Sequence, residues 1–261
     1  MRVAVLFILF ISFFATATHA SSKVENNTEN KTENIHIASA ANFRDALQEI
    51  ITLYKHQNPN TNITLSTGSS GSLYQQSLHG APFDIFLSAD SYYPQQLSNA
   101  LELKKAPKTY ALGELVFWNT QYNAAQPRTV DLKTILQKNQ KLAIANPKTA
   151  PYGKAALKVL EQFSSKATLV KGNSIGQVFQ FIHTGNVQAG FIARSQAHKV
   201  SDAQQLISIP QSLYPPLEQQ GLLLSHNKAA EHFFHFLWQA KTQAIIRNHG
   251  YQTPQIALAA N

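Results

Sequence analysis

The chain has 261 residues, 44% of them hydrophobic and 14% charged, with 22 Lys and Arg against 14 Asp and Glu. This length suits one large domain or two small lobes, and the composition excludes a disordered chain. The formal charge of +8 is scattered without a Lys/Arg block, which argues against a nucleic-acid partner, and the absence of cysteine excludes disulfides, a thiol nucleophile and an acylated lipid anchor.

Arg2 precedes the uninterrupted apolar run VAVLFILFISFFA, and Thr18 and Ala20 stand three and one before a plausible cut. Residues 1–20 therefore read as a secretory signal peptide, too short and wrongly flanked to span a bilayer. Its removal takes away Arg2 and no acid, leaving 21 − 14 = +7. No later stretch approaches the roughly 20 apolar residues of a membrane span, so an exported, soluble periplasmic protein is expected. Residues 21–34, SSKVENNTENKTEN, are almost devoid of apolar side chains and read as a flexible tether.

Strands and helices then alternate. IHIAS (35–39) predicts a buried strand and NFRDALQEIITLYKHQ (42–57) an amphipathic helix, with Phe43, Leu47, Ile50, Ile51 and Tyr54 on one face. NITLS is the next strand, SLYQQSLHG a short helix and FDIFLS a third strand, after which Asp90 can cap a helix through Tyr92 to Leu97. GELVFWNT (113–120) is extended. A second series follows: strand KLAIANP, helix GKAALKVLEQF, strand ATLVKG, helix SIGQVFQFIHTG and strand AGFIARS. QLISIP and GLLLS are further short extended pieces, and the chain closes with helices around AAEHFFHFLWQAKTQAIIRNHG. Two alternating series predict two α/β lobes built on parallel sheets, with a cleft between them.

Ligands of such sheets sit where strand ends feed helix N-termini. Four corners here share one chemistry: SAAN, TGSSGS, TAPYG and GNSI, rich in small or hydroxyl residues and free of clustered histidines or carboxylates. Helix N-termini offer unpaired N–H groups and partial positive charge, glycine and serine allow close approach, and Asn42 adds an amide. A site of neutral donors suits a small, fully ionised oxyanion. A serine hydrolase using Ser69, Ser70 or Ser72 is the enzyme alternative, but the Gly-x-Ser-x-Gly pattern read from Gly68 meets Ser72 in its fifth place. No lysine follows to complete a phosphate-binding P-loop. A module binding acidic polymers through its basic surface is a further alternative. His232 and His235 in EHFFHF could share a helix face, but no third metal ligand is evident, and the aromatics around them read as core.

SAANFRDAL, STGSSGSLYQQSLHGAPFDIFLSAD and ANPKTAPYGKAAL occur in an order and spacing that resembles the periplasmic molybdate-binding proteins of ABC importers, from about residue 35 to the end. The resemblance implies an α/β, two-lobed type II binding-protein fold with parallel-rich sheets and the oxyanion held between lobes. It implies lobe I from 35–112, lobe II from 113–212 and a return to lobe I over 213–261. It also implies no catalysis and no cofactor, molybdate or tungstate as ligand, a membrane permease as partner, and a monomer. Carried over residue by residue, the oxyanion contacts are Asn42 and the N–H of Ala41 or Asn42, the hydroxyl of Ser70, and the N–H groups of Tyr152 and Ile175, none a direct metal ligand. Many relatives carry a tyrosine where this chain has Ala193, and a subgroup with asparagine in the first corner manages without it. Sulfate is the rival ligand under the same fold.

Overall fold

The computed structural model describes residues 32–122, 132–138 and 140–254. The signal peptide at 1–20 and residues 21–31 of the tether lie outside the described residues. In chain order the first half contains β1 (Glu33–Ala40), α1 (Arg44–Gln57), β2 (Thr61–Gly68), α2 (Ser70–Leu78), β3 (Ile85–Leu87), α3 (Tyr92–Ala100) and β4 (Lys108–Gly113). The second contains β5 (Leu115–Asn119), α4 (Leu132–Lys138), β6 (Lys141–Ala145), α5 (Pro151–Gln162), β7 (Thr168–Gly172), α6 (Ile175–His183) and β8 (Ala189–Ala193). β9 (Leu206–Ser208), β10 (Leu217–Leu223), α7 (Lys228–Phe236) and α8 (Ala240–Asn248) complete it.

The described strands form two five-stranded sheets, ordered β2-β1-β3-β10-β4 and β7-β6-β8-β5-β9. Within each sheet the strands linked through helices pair in parallel: β1 with β2 and β3, and β6 with β7 and β8. The sheets are nevertheless mixed rather than parallel-rich. β10 runs antiparallel to β3 and β4, and β5 antiparallel to β8 and β9. The reason lies in the connections: β4 leaves the first sheet at Gly113 and β5 enters the second at Leu115, while the chain returns between Ser208 and Leu217. Strands that carry the chain between sheets need no helical crossover and so pair in the opposite sense.

Several boundaries differ from the sequence reading. β1 starts at Glu33, and Glu33 and Asn34, assigned to the tether, pair with Thr61 and Asn62. A strand protects its backbone polar groups whatever its side chains, so two polar residues on an exposed end join it. The strand expected over AGFIARS stops at Ala193, and Arg194–Lys199 coil into a 3-10 turn. β4, whose Tyr110 and Ala111 are fully buried, was not anticipated.

The first lobe's core joins Ile35 and Ile37 of β1 to Leu47, Ile50 and Tyr54 of α1 and to Phe233 and Phe236 of α7. The second packs Phe117, Ile144 and Phe191 against Val159 of α5 and Val178 of α6, and this cluster reaches Ala40 and Ala89 at the strand ends of the first sheet. The strand ends of the two sheets therefore meet. Among the described residues no helix is long and apolar enough to cross a membrane.

Candidate functional site

The four corners identified from sequence converge on one small cavity. Ala40, Ala41, Asn42, Gly68, Ser69, Ser70 and Ala89 line it from the first sheet, and Ala150, Pro151, Tyr152 and Ile175 from the second. All five expected contact residues, Ala41, Asn42, Ser70, Tyr152 and Ile175, are among them. None of the lining residues carries a charge. About 10 Å³ is open to the centre of a water molecule, room for about one water, so an organic guest is excluded while the lobes stand this close.

Each corner presents its donors for a local reason. Ser70 opens α2 and is buried; its Oγ accepts the Ala89 N–H at 2.9 Å, which leaves the hydroxyl proton to donate elsewhere. Ser69 and Ser72 bond to each other at 2.8 Å. Pro151 occupies the first position of α5 and lacks an N–H, so Tyr152 supplies the first donor of that helix end. Ile175 opens α6 behind the N-cap Ser174, whose side chain accepts from Gln177 N–H. Three helix N-termini thus aim their partial positive charge at one point without a cationic side chain.

Two details differ from the sequence reading. The Ala41 N–H extends the β1–β2 pairing to the Gly68 carbonyl at 2.9 Å, so of the Ala41–Asn42 pair only the Asn42 N–H is left for a guest. The Asn42 side chain is 3% exposed, and both hydrogens of its Nδ2 are directed inward, to Gln219 Oε1 and Tyr251 Oη at 2.9 Å each. Its Oδ1 is buried without a partner.

Residues missed by sequence reasoning hold this arrangement together. Ser195 Oγ and Tyr251 Oη both donate to the Asn42 carbonyl, at 2.9 and 2.8 Å. Gln196 accepts the Ala193 N–H and donates to the Ile175 carbonyl, bracing the α6 end. Gln219 of β10 accepts from Asn42 and Tyr110 and donates to Tyr152 Oη at 3.2 Å. Burial, with smaller contributions from neighbouring tyrosines, raises Tyr110 and Tyr152 well above the ordinary phenol value, so both hydroxyls stay protonated. Ser195, Gln219 and Tyr251 lie 153, 177 and 209 residues from Asn42, beyond the reach of any local pattern; LEQQGLL alternates as a strand, but nothing in it marks Gln219.

Bonds across the cleft join the lobes on both sides of the cavity. Gly71 N–H donates to the Thr149 carbonyl at 2.8 Å, Tyr93 Oη to the Lys148 carbonyl at 3.0 Å, and Lys199 pairs with Asp45. Burial pushes the Asp45 carboxyl up, but hydrogen bonding and charge from Lys199, helped by Arg44, outweigh it and hold it below the ordinary carboxylate value. Arg44, Asp45 and Lys199 line a separate opening of about 510 Å³ beside the small cavity. His232 is exposed, its Nδ1 within 2.8 Å of Tyr54 Oη, and no cluster of three metal-ligating side chains occurs among the described residues.

Residues 35–252 match the model of the family described as bacterial extracellular solute-binding protein. The chain is 37% identical over 224 residues to the molybdate-binding protein ModA of Rhodobacter capsulatus, covering 83% of this chain and 87% of the relative. It is 36% identical over 230 residues to the molybdate-binding protein ModA of Azotobacter vinelandii, covering 83% and 89%. The solved periplasmic molybdate-binding protein of A. vinelandii superposes with a TM-score of 0.74 at 30% identity, over 85% of this chain and all of that one.

Proposed function

The chain belongs to the bacterial extracellular solute-binding proteins, and from that membership and the chemistry of the cleft we propose that it captures molybdate, and tungstate with it, for an ABC-type membrane permease. The observation that carries the reading is the uncharged cavity at the meeting of three helix N-termini, in a chain whose relatives are named for molybdate binding.

The proposed contacts are the Ser70 hydroxyl, the Tyr152 and Ile175 N–H groups, and the backbone and side chain of Asn42. A hydrogen bond to a charged group contributes about 1.5–3 kcal/mol, and several from both lobes offset the desolvation of a dianion. Such bonds draw the lobes together about the two passages of chain at Glu114 and between Ser208 and Leu217, which serve as the hinge. The helix-end N–H groups and the Ser70 hydroxyl discriminate by protonation. Hydrogen phosphate would bring a P–OH that only Asn42 Oδ1 could accept, and then only by giving up the donor this amide can offer a dianion. Sulfate needs only donors, so its rejection rests on its smaller size. The apolar run at 1–20, read as a secretory leader, supports a periplasmic location, where a single molecule binds one anion and releases it when the permease reopens the lobes.

Titration calorimetry with molybdate, tungstate, sulfate and phosphate tests the reading. One site per chain for molybdate and tungstate, with sulfate much weaker and phosphate silent, is expected. Sulfate binding as tight as molybdate would make the protein a general dianion carrier and defeat the proposal.

A further inference from the structure

Buried polar side chains form a relay that crosses from one lobe to the other: Tyr152 on α5, Gln219 on β10, Asn42 at the first corner, and Tyr251 beyond α8. All four are at least 96% buried. Gln219 Nε2 donates to Tyr152 Oη at 3.2 Å, and Asn42 Nδ2 donates to Gln219 Oε1 and Tyr251 Oη. The relay crosses beside the hinge. A Cβ on Gly113 would stand 2.3 Å from Tyr152 Oη and 2.5 Å from Gln219 Nε2, so only a residue without a side chain lets the two groups meet there.

In this sense of the relay both side-chain hydrogens of Asn42 are taken by Gln219 and Tyr251, and the amide atom left over is Oδ1, a buried acceptor without a partner on a residue that lines the cavity. A buried carbonyl oxygen without a donor is costly, and beside a dianion it is repulsive. Rotating both amides by 180° about their last bonds exchanges oxygen and nitrogen without changing shape. Tyr152 O–H then donates to Gln219 Oε1. Gln219 Nε2 donates to Asn42 Oδ1, with the Tyr110 hydroxyl, which donates to the Ser88 carbonyl at 3.0 Å, as its second acceptor. Tyr251 O–H is free to donate to Asn42 Oδ1 while Ser195 keeps the Asn42 carbonyl bonded. Asn42 Nδ2 then stands where Oδ1 was, a side-chain donor with no protein acceptor, on a residue that lines the cavity.

We propose that anion binding selects this reversed relay and that Gln219, itself too deep to line the cavity, is the positioning residue that fixes the Asn42 amide with its NH2 toward the guest. The proposal rests on the anion-binding reading above. It makes specificity a property of the chain of donors: a guest that cannot accept from Asn42 leaves the relay in its inward sense.

Neutron diffraction from a deuterated crystal grown with molybdate reads the relay directly. Deuterium on the Asn42 atom that faces molybdate, with Gln219 deuterium directed at Asn42, is the expected result; deuterium on the Gln219-facing atom of Asn42 overturns the proposal. Calorimetry supplies the energetic counterpart. Gln219→Met keeps the volume and removes the amide, and should weaken molybdate binding at least ~10-fold, the loss expected of one misdirected bond to a charged group. Unchanged affinity accompanied by a lower Tm without anion would mean that Gln219 merely packs the core, and would also overturn it. Wild-type protein giving no heat with molybdate overturns the anion reading itself, a result distinct from either.

Discussion

Ser70 holds the Ala89 N–H on one side and keeps a proton for the cavity on the other. Ser70→Ala should therefore weaken molybdate binding by roughly 1–3 kcal/mol, the cost of losing a buried partner to a charged group, and lower stability because Ala89 N–H is left unpaired. An unchanged Kd in a calorimetric titration would remove Ser70 from the site. Asn42→Leu should abolish measurable binding in a folded protein, as judged by circular dichroism; near-normal affinity would exclude the first corner. Asp45 carries a pH dependence of known sign. Its folded pKa lies below the ordinary carboxylate value, so its contribution to stability is full above the unfolded pKa and fades as pH falls through the folded one. The difference in Tm between wild type and Asp45→Asn should shrink as pH is lowered from 6 toward 3. The residue types of the site were legible because small and hydroxyl side chains cluster before helices; which N–H groups are free was not. Ala41 loses its donor to Gly68 by strand pairing, which no local pattern encodes.

At the scale of elements, the helix ends do the binding and their caps hold them. Ser174 caps α6 through Gln177 N–H, and Asn227 caps α7 through the N–H groups of Ala229 and Ala230. Replacing either by Ala should cost about 1 kcal/mol of stability in urea denaturation. Only Ser174→Ala should also weaken molybdate binding, because it frees the turn that presents Ile175 N–H. Equal loss of affinity in both variants would mean that global stability, not helix placement, governs binding. Helices with strong periodicity were readable: Phe43, Leu47, Ile50 and Tyr54 are buried at the spacing that predicts α1, although Ile51 is half-buried and Ala46, outside the predicted face, is buried, and Asp90 caps α3 through Tyr93 N–H. β4 and the first half of β10 were not, since KTYAL and LEQQ mix polar and apolar residues in strands whose place is set by partners far along the chain.

In the whole molecule, closure depends on how nearly the lobes can approach. A Cβ on Gly71 would meet Tyr93 Oη at 2.6 Å and the Thr149 carbonyl oxygen at 2.9 Å, both on the seam of the cleft. Gly71→Ala should leave the lobes folded but hold them apart, and small-angle scattering should show its radius of gyration unmoved by molybdate. Neutral donors at converging helix ends should grip the dianion without a cationic side chain. A crystal structure of the molybdate complex tests it most directly. The anion should lie among Asn42, Ser70, Tyr152 and Ile175, its oxygens within hydrogen-bond distance of N–H and O–H groups alone. Molybdate seated instead against Arg44 and Lys199 in the neighbouring opening would contradict the account.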